Sequence, residues 1–375
     1  MRLIKVKVAF LTNYKAPYRR LQFNEYVKKL GIDITIYYTN RINDGREWDV
    51  SEEVLFKEEY LKGIKISDKY GYLNLGILKI IKNNDIILLG GYEQPTIIFI
   101  SIISKILNKK TILIFDGIST SRLNINCNRL KNFLKKIVIN NSDAIFANGV
   151  IGKKYFNEKF NIQKKYIFNQ YLSVNNEKIR MCLKEKLLNR VELRKKFFIN
   201  SDEKVLVYSG RVIDIKNLKS VINALSKIKD KNITFFVIGG GILEDEIINQ
   251  GKNLGVRVIV TGFLRNQEDV FKHYSIGDVF ILPSIEEPWG LVVNEAMVCG
   301  LPVLVSSECG CSYDLVKNSE NGFIINPFDV DDISLKIDNI FSLDYEKMGE
   351  KSKHIIEKWN FCNSAKSFKE MLNSI

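Results

Sequence analysis

The chain has little of what marks several protein classes. Its 375 residues include two histidines, His273 and His354, and no Cys or His pair stands at a spacing that would complete a zinc site with Cys309-Gly-Cys311. The six cysteines (Cys127, Cys182, Cys299, Cys309, Cys311 and Cys362) are scattered along a chain long enough to bury a core without staples. Reduced structural thiols are therefore expected rather than a disulfide framework. Six prolines and 46% apolar residues exclude collagen-like and disordered chains. Long apolar runs are missing too. The longest, 96–107, is broken by Ser101, Ser104 and Lys105 and falls short of the ~20 residues of a bilayer span. The opening MRLIKVKVAF soon turns polar and reads as a strand rather than a secretory signal, so a cytoplasmic protein is expected.

What is present in surplus is positive charge: 56 Lys and Arg against 43 Asp and Glu, a net of +13. Residues 1–200 hold 37 of these cations and 18 acids, whereas residues 201–375 hold 19 and 25. Two halves of opposite sign suggest two domains with different partners, which suits a chain of this length. A nucleic-acid partner is disfavoured, because the cations are not interleaved with aromatics and no nucleic-acid-binding motif occurs. An anionic membrane face or an anionic substrate remains.

The periodicity predicts an α/β chain. Strands are expected over 5–11, 33–38, 85–89, 111–115 and 143–147, with helices over 18–30, 95–107 and 129–140. A Lys- and Arg-rich helical stretch, 178–198, interrupts this rhythm. It resumes with strands over 205–209, 234–238, 256–261, 278–282 and 302–306 and helices between them. These alternations imply two Rossmann-like, doubly wound domains facing across a cleft, with ligands beyond the carboxyl ends of the strands. The expected division is 1–172, 173–355, and a C-terminal helix over 356–375 that packs back on the first domain.

The densest chemistry lies in DVFILPSIEEPWGLVVNEAMVCGLPVLVS, residues 278–306. A buried strand ends at Leu282, and Glu286 and Glu287 precede a helix entered at Gly290. The first helical N–H groups, at Gly290, Leu291 and Val292, suit a phosphate, and Glu295 follows about one turn later. Carboxylates on either side of an anion site would meet the hydroxyls of a sugar nucleotide; a solvated acidic loop would look similar. Gly210-Arg211 ends a strand and Lys216-Asn217 opens the next helix, placing two cations where they could clamp a diphosphate. The run Gly239-Gly240-Gly241 permits close backbone approach, to a ligand or in a plain turn. Asp329-Val-Asp331 matches the Asp-x-Asp of metal-dependent transferases, but it stands just ahead of a helix and reads better as a cap.

Together these residues resemble the retaining nucleotide-sugar glycosyltransferases of the two-Rossmann GT-B fold, glycosyltransferase family four. The resemblance rests on Glu287-Pro-Trp-Gly-Leu-Val-Val-Asn-Glu295, on Ala296-Met-Val-Cys-Gly-Leu-Pro302, and on Gly210-Arg211 with Lys216-Asn217. Ile238-Gly-Gly-Gly241, Val260-Thr-Gly-Phe263 and Asn321-Gly-Phe323 extend it over about residues 203–335, with a looser likeness in the first half. It implies that Glu287 contacts the transferred sugar and Glu295 the ribose, while Arg211 and Lys216 hold the diphosphate and stabilise the departing nucleoside diphosphate. It further implies donor contacts at Gly210, Gly240, Gly262 and Phe263, a hexosyl or N-acetylhexosaminyl transfer, and no metal or other cofactor.

The first half departs from that pattern. The family's strand-end His has no counterpart, and the comparable loop holds Asp116-Gly117, so Asp116 is the candidate for the polar part of its work. The loop from Thr12 to Arg19 resembles the donor-proximal N-terminal loop, with Asn13 toward the donor and Tyr18 and Arg19 toward the acceptor. Tyr92 and Glu93, and the stretch Arg46-Glu47-Trp48, stand at other strand ends and are further acceptor-side candidates, although each also reads as an ordinary solvated loop residue. The lysine pairs of the first half suit an anionic leaflet, at about 1 kcal/mol per cation, and a generally solubilising basic surface would look the same. A lipid-linked glycan acceptor at the inner face of the cell membrane is therefore expected, in cell-surface polysaccharide or lipopolysaccharide synthesis. A sugar-nucleotide epimerase of the same fold, or an inactive partner subunit, would carry the same donor motifs.

Overall fold

A computed structural model describes residues 5–39, 53–67, 71–123, 128–229 and 232–375. Cys127 and the stretch Arg46-Glu47-Trp48 lie outside the described residues. The chain divides into two compact units, one of Met1–Gly117, Ile125–Leu172 and Phe361–Ile375, the other of Ile118–Asn124 and Ser173–Asn360.

In the first unit the strands are β1 (Lys7–Thr12), β2 (Asp33–Tyr38), β3 (Lys57–Tyr60), β4 (Gly63–Ser67), β5 (Gly71–Asn74), β6 (Ile86–Gly90), β7 (Lys110–Phe115), β8 (Ala144–Ala147) and β9 (Ile167–Asn169). The helices are α1 (Pro17–Leu30), α2 (Ile77–Asn83), α3 (Pro95–Ile106), α4 (Arg129–Asn141) and α5 (Gly149–Lys154). Among the described residues, seven of these strands form a parallel sheet in the order β3-β2-β1-β6-β7-β8-β9, and β4 and β5 form an antiparallel hairpin. Central strands such as β1 and β8 bury nearly every side chain, as a sheet covered on both faces requires. α1 starts on Pro17, whose missing N–H costs nothing there, and ends on Gly31 at φ 66°.

The second unit adds α6 (Asn176–Cys182), α7 (Lys186–Lys196), α8 (Leu218–Lys227), α9 (Glu244–Leu254), α10 (Gln267–His273), α11 (Leu291–Val298), α12 (Ser312–Leu315), α13 (Val330–Ser342) and α14 (Tyr345–Ile356). Its strands are β10 (Lys204–Ser209), β11 (Ile233–Ile238), β12 (Arg257–Val260), β13 (Val279–Leu282), β14 (Val303–Ser306) and β15 (Gly322–Ile325). Among the described residues they form one parallel sheet, β12-β11-β10-β13-β14-β15. Asp329 caps α13, its carboxylate accepting from the N–H groups of Asp331 (2.9 Å) and Asp332 (3.1 Å). The Asp-x-Asp motif is thus a helix cap.

The last helix, α15 (Phe361–Ser374), belongs to the first unit and packs on α1. Phe368 stacks on Tyr26 at 4.6 Å, and Ser364 accepts a hydrogen bond from Gln22 (2.7 Å). Residues 356–360, grouped with this helix on sequence grounds, stay with the second unit, where Trp359 packs on Trp289 at 4.7 Å. The stretch 178–198 forms two helices, α6 and α7, rather than one. The segment after β2, which reads in sequence as a charged loop, contains β3, the hairpin and α2. The residues of β3, KEEY, carry no apolar alternation and half of them are Glu, a poor strand former, so its pairing at the sheet edge leaves no sequence signal.

Candidate functional site

At the carboxyl end of the second sheet, β10 and β11 run on into paired loops. Gly210 N–H donates to the Ile238 carbonyl and Val212 N–H to the Gly240 carbonyl, both at 2.9 Å. A Cβ on Gly239 would lie 2.3 Å from the Gly210 carbonyl oxygen, and one on Gly241 would lie 2.4 Å from that of Val212. The close approach that the three glycines permit is therefore first of all between two loops of the protein. Beyond them Gly262, at φ 71°, turns the chain into the exposed ring of Phe263. Arg211 leaves this rim exposed, and its guanidinium makes no hydrogen bond or ion pair among the described residues.

Lys216 closes a single 3-10 turn, Asp214–Lys216. Asn217 follows at φ 58°, a conformation Asn tolerates, and its side-chain amide donates to the carbonyls of Pro327 (2.7 Å) and Pro283 (3.3 Å). Ile285 N–H donates to the Ile215 carbonyl at 3.0 Å, so the turn is sewn to the loop after β13. This brings Lys216 Nζ onto the carboxylate of Glu287, with 15% and 17% of the two side chains exposed. The backbone of Glu287 is held as well, its carbonyl accepting from Gly310 N–H at 2.9 Å. Burial beside this carboxylate drives the thiol of Cys309 well above its usual range, and burial does the same to Cys311. Both are neutral packing groups.

α11 begins at Gly290, at φ 93°, with no side-chain cap. Its first N–H groups, at Leu291 and Val292, point out of the helix start, where the helix dipole favours an anion. One turn on, Glu295 accepts a hydrogen bond from the Tyr274 hydroxyl at 2.8 Å. Burial pushes its carboxyl up to about 7, the tyrosine offsetting only part of the cost. Trp289 donates to Asn294 at 3.1 Å and holds the entry loop against the helix.

Sequence reasoning passes over the segment 118–123. Here Arg122 pairs with Glu286, and Thr120 Oγ1 donates to Glu308 Oε2 at 2.6 Å. These partners stand more than 160 residues apart, and no local pattern joins them.

In the first unit, Asp116 follows β7 and is ion-paired to Arg19, hydrogen-bonded by Tyr18 (2.9 Å), and approached by Gln170 (3.4 Å). The fold thus gathers three candidates, Tyr18, Arg19 and Asp116, into one cluster. Asn13 lies apart on the turn after β1, beside Thr12. Tyr92 is buried on Phe115, with Lys135 over its ring at 4.7 Å, and Glu93 pairs with Lys131 at 3.0 Å, so both are engaged with α4. A second cluster was not anticipated from sequence. Glu58 of β3 accepts from Lys15 (3.0 Å), from Arg20 in bidentate fashion (3.2 Å each), and from Tyr38 (2.5 Å). Burial raises its carboxyl, but these donors outweigh it and hold Glu58 below the usual carboxylate range.

Residues 189–358 match the family model described as Glycosyl transferases group 1. An uncharacterized glycosyltransferase of Methanocaldococcus jannaschii is 32% identical over 184 residues, which cover 47% of this chain and 46% of that protein. The lipopolysaccharide 1,2-N-acetylglucosaminetransferase of Salmonella typhimurium is 25% identical over 196 residues, covering 48% and 51%. The chain spans about half the length of these curated relatives. The crystal structure of Anabaena HepE in complex with UDP superposes with a TM-score of 0.77 at 16% identity, covering 99% of this chain and all of that one. The fold is the GT-B fold of such glycosyltransferase structures.

Proposed function

We propose that the chain is a glycosyltransferase that moves a sugar from a nucleoside diphosphate sugar, a UDP-sugar, to a glycan acceptor with retention at the anomeric carbon. The observation that carries this reading is the Lys216–Glu287 pair, set near the exposed Arg211 and the uncapped start of α11 within the matched region. The pair is a resting state. An arriving diphosphate offers Lys216 a stronger counter-charge, which releases Glu287 to accept hydrogen bonds from the hydroxyls of the sugar. Arg211 and the N–H groups of Leu291 and Val292 complete the diphosphate site, and Glu295 accepts from the ribose.

The reaction follows from that placement. The bond between the anomeric carbon and the β-phosphate oxygen breaks as negative charge grows on the diphosphate, where Lys216 and Arg211 offset it. The acceptor oxygen bonds to the same face of the sugar, and its proton passes to the departing phosphate. In this scheme the side-chain cations do the electrostatic work that a divalent metal does elsewhere, so a chelator is expected to leave turnover unchanged. Asp116, paired with Arg19 and Tyr18, borders the acceptor side. The acceptor is a lipid-linked glycan of cell-surface polysaccharide or lipopolysaccharide synthesis, met at the inner face of the membrane by the basic first half.

HepE, solved with UDP, and the Salmonella N-acetylglucosaminetransferase support a UDP-linked hexosyl or N-acetylhexosaminyl donor. The test is a panel of UDP-, GDP- and ADP-sugars, followed by release of nucleoside diphosphate and by the anomeric configuration of the product. Release from UDP-sugars with retained configuration is expected. An inverted product overturns the mechanism, and an epimerised UDP-sugar without transfer overturns the reaction.

A further inference from the structure

Helix α3 is apolar on its outer side as well as its inner one. Ile97 and Ile100 face the core together with Thr96, Ser101 and Ser104, while Phe99 at 54% exposure, Ile102 and Ile106 at 74% face solvent. A helix serving only its own core would carry polar side chains at those outward positions. α3 packs between α2 and α4, and both neighbours extend the apolar surface outward, α2 with Leu78 and α4 with Leu130 and with Phe133 at 61% exposure. The charge around this surface is predominantly positive. Segments 71–83, 95–110 and 128–141 carry nine Lys or Arg and no Asp or Glu; Lys131 and Lys135 pair with Glu93 and Lys110 with Asp143, while Lys79, Lys82, Lys105 and Lys136 are exposed.

We propose that the outward face of α2, α3 and α4 is a docking surface for an anionic lipid bilayer. Apolar side chains at this spacing enter the boundary between headgroups and acyl chains, while the lysines bury their stems and keep their ammonium groups among lipid phosphates. The charge argues against self-association, since a symmetric contact of this face with its copy would oppose lysines to lysines. The inference deepens the reading of a membrane-borne acceptor and rests on it for its purpose, though not for its geometry.

The experiment is co-sedimentation of the full chain with vesicles of phosphatidylcholine, with and without a third of phosphatidylglycerol. Two double variants accompany it, Phe99→Ser with Phe133→Ser, and Lys105→Gln with Lys136→Gln. All four positions are exposed, so melting temperature and UDP-sugar hydrolysis serve as controls that stay at wild-type values. Binding to the anionic vesicles is expected, with binding to phosphatidylcholine alone much weaker. The charge variant should lose about 25-fold in affinity, roughly fivefold per cation, and the apolar variant at least about tenfold. Three results overturn the proposal: no binding to anionic vesicles at low salt, either variant binding like the wild type, or a wild-type dimer that these substitutions dissociate. Because the readout involves no sugar, its failure leaves the transfer reaction standing, and loss of hydrolysis in the panel leaves the docking face standing.

Discussion

The two units treat their half-buried carboxylates in opposite ways. In the first, Glu58 accepts from Lys15, Arg20 and Tyr38 and is held below the usual carboxylate range. In the second, among the described residues Glu295 has the single hydroxyl of Tyr274, and burial pushes it up to about 7, while Glu287 has Lys216. A carboxylate accepts about four hydrogen bonds. Glu58 has filled that capacity from its own chain and works as a structural clasp. Glu287 and Glu295 have lone pairs unfilled among the described residues, the open capacity that the proposed sugar-nucleotide donor would use.

Lys216→Ala is the sharpest test of this contrast. If Lys216 exchanges Glu287 for the diphosphate, turnover falls about 100- to 1,000-fold, while far-UV circular dichroism and melting change little. Turnover within a few-fold of wild type would remove the functional half of the comparison.

Glu58→Gln attacks the other half. It leaves Lys15 and Arg20 with a neutral partner in a buried setting, which costs about 2–3 kcal/mol and lowers the melting temperature by about 5 °C or more. UDP-sugar hydrolysis at a temperature below both transitions should be unchanged. Because Glu58 is held low, its contribution to stability is present above the unfolded carboxylate value and is lost as pH falls through its folded value. The gap between wild type and Glu58→Gln should therefore close on acidification below about pH 4.

Glu295→Gln has the smallest effect and the most specific signature. A carboxyl raised to about 7 favours folding while protonated, and that contribution is lost as pH rises from the unfolded value through 7. Glu295→Gln should thus be the more stable protein at pH 8. In the proposed site donor binding would run the other way, since the ionised form accepts hydroxyls best. Wild-type affinity for UDP-sugar is expected to rise about tenfold between pH 6 and 8, measured by calorimetry, and to stay flat in the variant.

Much of this was legible along the chain because it is local. Strand and helix alternation predicts both parallel sheets, the spacing from Gly290 to Glu295 places a carboxylate one turn beyond a helix start, and Asp329 announces a cap. The pairings were not legible. Lys216 and Glu287 are 71 positions apart, and Lys15 and Glu58 are 43 apart. Tyr92 and Glu93 read as open loop residues because the helix that engages them, α4, lies some forty positions further on.

The sequence by itself determined the α/β class, the opposite charge of the two halves and the chemical types available at the strand ends, since each depends on composition or on periods of a few residues. Tertiary structure alone decided which carboxylate is satisfied and which is left open, and which side of α3 faces out. Those outcomes depend on what distant segments bring alongside, and a donor's distance and a side chain's burial exist only once the sheets have formed.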